Sequence, residues 1–275
     1  MLAQRVATAV VGIPLILVAI LLGGPVYTIP VAVILTIAAL EFYAATDPVP
    51  HDAAAGVDRI FRPRLAALIA AAGVAVTALA AIEGLDYVTG AVVLSVGAVF
   101  LALILVADPE TGLRDWQWAA AGIVYVGFLG AHLTLLRDLP EGEDWVLLAI
   151  LATFAADTCA YFTGKMWGKT LITPRISAGK TLEGTIGGYV AGFLAVLVLN
   201  ALLDTDMTFA EAFLLAWVFP GVAMLGDLAE SLIKRGGGVK DSGELVPGHG
   251  GLLDRLDSPL FTVPLVFYFA IWVVY

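Results

Sequence analysis

A chain of 275 residues that is 60% hydrophobic and 14% charged cannot cover itself with polar surface, because soluble domains carry roughly 25% charged residues. A mean hydropathy of +0.96, with the apolar residues gathered in long blocks, identifies an integral membrane protein. The single cysteine, Cys159, excludes an internal disulfide and a cysteine-based zinc site, His51, His132 and His249 lie in three separate regions, and a net charge of −10 argues against nucleic acid as the main partner.

A hydrocarbon core of about 30 Å needs about 20 apolar residues per helix. Blocks at about 6–22, 26–45, 65–82, 90–107, 117–136, 145–163, 184–203, 210–233 and 259–275 predict an all-α polytopic protein of about nine transmembrane helices. A barrel's ten-residue alternation is missing, and lipid tolerates no other open backbone. The first block has no small-residue cleavage site and is read as a retained helix. With alternating spans, 13 of the 14 Lys and Arg residues fall on the N-terminal side and only Arg137 on the other. The positive-inside rule then places the N-terminus and the two long C-terminal loops in the cytoplasm of a cell inner (plasma) membrane, with Tyr275 outside. Residues 1–144 form Ala/Val/Leu-rich helices with an irregular insert at 46–64, and residues 145–275 carry the functional loops. Trp116, Trp118 and Trp145 are expected in an interfacial aromatic belt, and His132 packed in its span. Glu41, near the end of the second span, either faces a cavity or snorkels.

Ionisable groups at membrane depth are costly and so point to function. Asp227, Glu230, Ser231 and Lys234 stand at i, i+3, i+4 and i+7, a polar stripe on one helical face. The segment that follows, Gly236 to Ser258, holds seven glycines in its first 16 residues, with Lys240, Asp241, His249, Asp254, Arg255 and Asp257 among them. Glycine lets backbone N–H groups approach a ligand closely. Cations interleaved with carboxylates suit phosphates held with Mg²⁺, which binds through one or two carboxylates plus phosphate oxygens. Asp227, Asp254 and Asp257 make a three-carboxylate set. In the other loop, Asp157 and Tyr161 share a helical face ahead of Ser177, Lys180, Thr181 and Glu183. That group of hydroxyls and cations suits either a phosphate-bearing ligand or anionic lipid headgroups, and it lacks the Walker A spacing.

The 27-residue stretch from Ser231 through Lys234-Arg235, Lys240-Asp241, Gly243, Pro247, His249-Gly250-Gly251 and Asp254-Arg255-Leu256-Asp257 resembles the signature of the phosphatidate cytidylyltransferase (CDP-diacylglycerol synthase) family. Asp157-Thr158-Cys159-Ala160-Tyr161, Ile176 to Gly184, and the N-terminal Arg5-Val6-Ala7-Thr8-Ala9 with Ile13-Pro14-Leu15 are similar to further regions of that family. Val246 and Ala178-Gly179 depart from its usual pattern. The resemblance implies a Mg²⁺-dependent nucleotidyltransferase of phospholipid biosynthesis that joins CTP and phosphatidate into CDP-diacylglycerol and pyrophosphate. It implies Mg²⁺ on Asp227 and Asp254, with Asp257 completing a second metal position or orienting the ligands. Lys234, Arg235, Lys240 and Arg255 would then neutralise phosphates, with His249, Gly250 and Gly251 against the nucleotide and Asp241 beside them. Asp157, Tyr161, Ser177, Lys180, Thr181, Glu183 and Ser231 would line the substrate wall. A homodimer is also implied. CDP-archaeol synthesis and CTP-dependent polyprenol phosphorylation are the neighbouring alternatives. A secondary transporter is opposed by the one-sided, loop-rich polar set.

Overall fold

A computed structural model describes residues 2–47, 65–107, 109–243 and 250–275. The protein is all-α, and all nine predicted segments are helical: α1 (Leu2–Leu22), α2 (Gly24–Thr46), α3 (Leu65–Ala80, extended by a 3₁₀ turn at Ala81–Glu83), α4 (Leu85–Val106), α5 (Pro109–Gly122, a π turn at Ile123–Phe128, then Leu129–Arg137), α6 (Gly142–Trp167), α7 (Leu182–Leu202), α8 (Phe209–Gly236) and α9 (Pro259–Phe269, continued by a π turn at Ala270–Val274). Among the described residues, α2 to α8 are each long and apolar enough to cross a bilayer, and Gly12–Leu22 and Pro259–Val274 are shorter apolar helices. This is a polytopic membrane protein.

The chain forms two compact units. Unit 1 comprises Met1–Asp138 and Ile233–Leu256, and unit 2 comprises Leu139–Leu232 and Asp257–Tyr275. The last turn of α8 and the described part of the glycine-rich segment therefore belong with α1–α5.

In unit 1, α3 is the small-residue element. Ala67, Ala70, Val74 and Ala78 are fully buried, as are Leu35, Ala38 and Ala39 of α2 and Ile123 and Val126 of α5. Helix packing inside lipid rests on close van der Waals contact, and alanine and glycine faces allow it. A methyl group added at Gly73 of α3 would lie 2.6 Å from Cβ of Ser95 in α4. Several polar side chains at depth find partners on a neighbouring helix, as lipid favours: Tyr27 OH donates to Leu133 O (3.2 Å), Tyr43 OH to Ala119 O (2.8 Å) and Trp118 Nε1 to Thr46 Oγ1 (2.8 Å). Arg137, at the end of α5, donates through Nε to Ile20 O (2.5 Å) and through Nη2 to Leu21 O (3.2 Å). It thereby caps the C-terminal carbonyls of α1, which have no partner within the helix. The α1–α2 turn follows at Gly23 (φ 62°) and Gly24 (φ 50°), a left-handed conformation that glycine adopts without strain.

In unit 2, α6 and α7 are joined along a seam of small residues. Gly184, Gly188 and Gly192 recur every four residues on α7 and face Ala156, Ala160 and Gly164, spaced the same way on α6. A methyl group at Gly184 would lie 2.8 Å from Ala160 O, one at Gly188 2.7 Å from Ala160 Cβ, and one at Gly192 3.1 Å from both Ala156 Cβ and Pro220 Cγ of α8. Two four-residue repeats in register are the sequence form of this backbone-to-backbone packing. Thr153 and Thr262 share a 2.9 Å hydrogen bond that ties α6 to α9. Trp145 Nε1 donates to Tyr275 OH at 3.1 Å, and that hydroxyl donates to Pro140 O at 2.9 Å. Trp118 and Trp145 are buried, where an aromatic belt was expected, because each indole N–H finds an internal acceptor. His132 is packed as expected, with Nδ1 2.8 Å from Phe128 O.

In unit 2, α7 and α8 start from threonine caps. Thr181 Oγ1 accepts the Gly184 N–H at the start of α7 (3.2 Å). Before α8, Thr208 Oγ1 accepts from Glu211 N (3.4 Å) while Glu211 Oε2 accepts from Thr208 N (2.7 Å), a reciprocal capping box.

Candidate functional site

The ionisable residues singled out from the sequence fall into two clusters, one in each unit. In unit 2, α8 carries Asp227 and Ser231, α6 carries Asp157, the α6–α7 loop carries Lys180, and the residues ahead of α9 carry Asp257 and Ser258. Lys180 Nζ forms an ion pair with Asp227 Oδ2 at 2.5 Å. Ser231 Oγ lies 3.5 Å from Asp227 Oδ1, one helical turn away. Asp157 is within electrostatic reach of Asp257, Asp227 and Lys180. Asp257 accepts the Ser258 N–H through Oδ1 at 2.7 Å.

Gly226 makes this convergence possible. A methyl group there would lie 2.6 Å from Asp257 O and 2.9 Å from Ser258 Cα. Only a glycine lets the chain ahead of α9 lie directly on the backbone of α8, one residue before Asp227. The sequence signal was present, a glycine preceding an intramembrane carboxylate, but its partner stands about thirty residues downstream and nothing local identifies it.

The α6–α7 loop is a short hairpin built to present Lys180. Leu171 and Thr181 form an isolated antiparallel bridge, Ile172 N donates to Lys180 O (3.1 Å) and Leu182 N to Thr170 O (2.8 Å). Ser177 sits in its tip, donating its backbone N–H to Thr173 O (2.8 Å) and accepting from Lys180 N (3.4 Å). Glu183 accepts the N–H groups of Lys169 (3.0 Å) and Thr170 (3.2 Å) and the Thr170 hydroxyl (3.1 Å). Glu183 and Thr181 therefore hold the two ends of the hairpin. Tyr161 is exposed, edge-on to Phe162, with Lys165 Nζ 5.6 Å from its ring centre.

In unit 1, the last turn of α8 closes at Gly238 (φ 70°), with Gly237 N donating to Ile233 O (3.0 Å), Gly238 N to Arg235 O (3.1 Å) and Val239 N to Lys234 O (3.0 Å). Arg235 Nη1 returns to Val239 O at 3.1 Å. Lys234 Nζ pairs with Asp254 Oδ1 at 2.8 Å. The same carboxylate accepts the Ser242 N–H (3.3 Å to Oδ1, 3.2 Å to Oδ2) and the Gly251 N–H (2.9 Å to Oδ2). A carboxylate offers about four lone-pair sites, and three donors already occupy Asp254. Gly250 has φ 85°, and a methyl group on it would lie 2.8 Å from Asp254 Oδ2. Lys240, Asp241 and Arg255 are exposed. His249 lies outside the described residues.

Two side chains at this cluster were not read from the sequence as part of it. Ser242 is buried beside Gly251. Glu41 of α2 is fully buried and accepts the Leu253 N–H at 2.8 Å. It neither snorkels nor faces an open cavity. Glu230, on the stripe with Asp227, is likewise buried.

Among the described residues, no group of three or more His, Cys, Asp or Glu side chains is arranged to hold a metal on protein ligands alone. The donor set nonetheless suits a hard cation that brings other ligands. Asp157 lies in electrostatic reach of both Asp227 and Asp257, and Lys180 is paired with Asp227, so the set holds more carboxylates than cations. Mg²⁺ completes its octahedron with water and phosphate oxygens.

The family model for the cytidylyltransferase family matches residues 3–273 of the chain. A phosphatidate cytidylyltransferase of Synechocystis is 31% identical across 98% of this chain and 96% of its own length. The phosphatidate cytidylyltransferase of Thermotoga maritima is 39% identical across 63% of this chain, and the uncharacterized protein YnbB of Escherichia coli is 41% identical across 60%. The chain spans 66% and 57%, respectively, of the length of those last two relatives.

Proposed function

The chain belongs to the cytidylyltransferase family, and we propose that it transfers the cytidylyl group of CTP to phosphatidate, giving CDP-diacylglycerol and pyrophosphate. A phosphate oxygen of phosphatidate attacks the α-phosphorus of CTP, the bond from that phosphorus to the bridging oxygen of the β-phosphate breaks, and pyrophosphate leaves with the electron pair. The attacking phosphate is already anionic near neutral pH, so no residue has to remove a proton. The barrier lies in bringing two anions together and stabilising a leaving group, which is work for cations.

The observation that carries this reading is the Asp157, Asp227 and Asp257 set with Lys180 in unit 2. Bound Mg²⁺ would neutralise the triphosphate and stabilise the departing pyrophosphate. Asp227 and Asp257 are the residues we assign to hold it, with Asp157 in electrostatic reach of both. Asp254, also assigned to the metal from the sequence, would ligate only through the capacity its three donors leave. Its stronger role is to hold Lys234 and the backbone N–H groups of Ser242 and Gly251. Lys180 and Lys234 neutralise carboxylates before substrate arrives, and once phosphates are present either ammonium can turn to them. Arg235, Lys240 and Arg255 add positive charge, and the N–H groups around Gly250 and Gly251 suit close approach of phosphate oxygens. The positive-inside bias supports a cytoplasmic site in the plasma membrane, the side on which CTP is found.

The test is transfer of label from α-labelled CTP to phosphatidate in mixed micelles, with pyrophosphate counted in parallel. Equal yields of CDP-diacylglycerol and pyrophosphate, dependent on Mg²⁺ and abolished in D227A, are the expected result. Label found in a phosphorylated prenol would replace this reading with a lipid kinase.

A further inference from the structure

Glu41 is a carboxylate with 0% exposure in a membrane helix, and the chemistry just described makes no use of it. Its Oε2 accepts the Leu253 N–H, 212 residues further along the chain, at 2.8 Å. Its neighbours explain why two glycines stand where they do. A methyl group at Gly243 would lie 2.6 Å from Glu41 Oε1, and one at Gly251 2.6 Å from Glu41 Oε2. Asp254 accepts the N–H groups of Gly251 itself and of Ser242, the neighbour of Gly243. Two carboxylates from distant parts of the sequence thus fix the backbone around Asp254, with Leu253 held by one and its neighbour Asp254 serving as the other. Burying a carboxyl group is costly unless a hydrogen bond offsets it, and at Oε2 the Leu253 N–H supplies one.

We propose that Glu41 is a positioning residue: by holding the Leu253 N–H it sets the place of Asp254, and through Asp254 that of the Lys234 ammonium that meets substrate phosphate. The assignment deepens the cytidylyltransferase reading and rests on it for its kinetic consequence. Its structural half stands alone.

The experiment uses the full-length protein in detergent and compares E41Q with E41A. Glutamine keeps a carbonyl oxygen for the Leu253 N–H and fits the same space, whereas alanine removes the acceptor. Amide hydrogen exchange at Leu253, Gly251 and Ser242 is read alongside KM and kcat for CTP. Exchange at these amides should match the parent protein in E41Q and accelerate in E41A. KM for CTP should stay within about twofold in E41Q and rise about tenfold in E41A, the size of one lost hydrogen bond to a charged group, while kcat changes less. Unchanged exchange and KM in a folded E41A would overturn the proposal. So would an E41Q as impaired as E41A with its amides still protected, because the charge and not the hydrogen bond would then matter. Should E41A fail to fold, deprotected amides in E41Q would overturn it equally. A parent protein that does not turn over CTP, with Leu253 still released only in E41A, would refute the activity and leave the brace in place.

Discussion

Replacing Gly226 with alanine tests the geometry on which the unit 2 cluster depends. The new methyl group would stand 2.6 Å from Asp257 O and 2.9 Å from Ser258 Cα, where ordinary contact begins at 3.4 Å. The obstructing atoms are backbone, so no side chain can swing aside, and the chain ahead of α9 must retreat by roughly 0.8 Å, the difference between those two distances. Overpacking of this kind costs about 1–3 kcal/mol, offset by about 1 kcal/mol from the better helix propensity of alanine. Stability should therefore fall modestly. Activity should fall further, because a displacement near 1 Å at a reacting centre costs on the order of 100-fold. Gly221 lies on the same helix, and a methyl group there would meet nothing within 4 Å, which makes G221A the internal control. Both variants would be assayed for CTP-dependent transfer to phosphatidate and for thermal unfolding in the same detergent. G221A should be as active as the parent and at least as stable, and G226A slower by about 10- to 100-fold. A fully active, stable G226A would refute the argument that the contact of Gly226 with Asp257 and Ser258 sets the cluster.

Asp227→Ala removes the partner of Lys180 and one carboxylate of the cluster, and kcat should drop by about 100- to 1,000-fold with little loss of helicity by circular dichroism. Chelation with EDTA should stop turnover while leaving the unfolding temperature nearly unchanged, since the described residues hold no metal on protein ligands alone. Calorimetry should accordingly find Mg²⁺ binding much tighter with CTP present than without. Gly188→Val would drive a branched side chain into Ala160 and the Ala156 carbonyl, and a loss of about 1–3 kcal/mol should appear as a lower unfolding temperature. Arg137→Ala releases the two carbonyls at the end of α1, for a cost of about 1–3 kcal/mol read in the same way.

The helices were legible because lipid imposes a simple rule on sequence: about 20 apolar residues at a stretch. Their ends were less so. α5 begins at Pro109, well before the predicted residue 117; Trp116 is half-buried, edge-on to Phe100, and Trp118 is buried and bonded to Thr46, and local hydropathy cannot tell an inward tryptophan from a belt tryptophan. At the site, the residue types were legible and their pairings were not. Asp227, Asp254 and Asp257 read as one three-carboxylate set, yet Lys180 pairs with the first and Lys234 with the second. Glu183 and Thr181 read as lining the substrate wall, and what the sequence did not mark is that their oxygens also hold the hairpin and the start of α7. Glu41 could not be placed at all, since its partner Leu253 donates through backbone, and a backbone donor leaves no mark in the identity of the residue that carries it.

The capping of α1 by Arg137 has a consequence for how the protein is made. The first helical hairpin leaves the ribosome with the last carbonyls of α1 unsatisfied, and the guanidinium that closes them is encoded 117 residues after Ile20. At about 5–20 residues per second, that interval is on the order of ten seconds. During it α1 must borrow partners from water, lipid headgroups or the insertion machinery, and its final seat is settled only when α5 arrives.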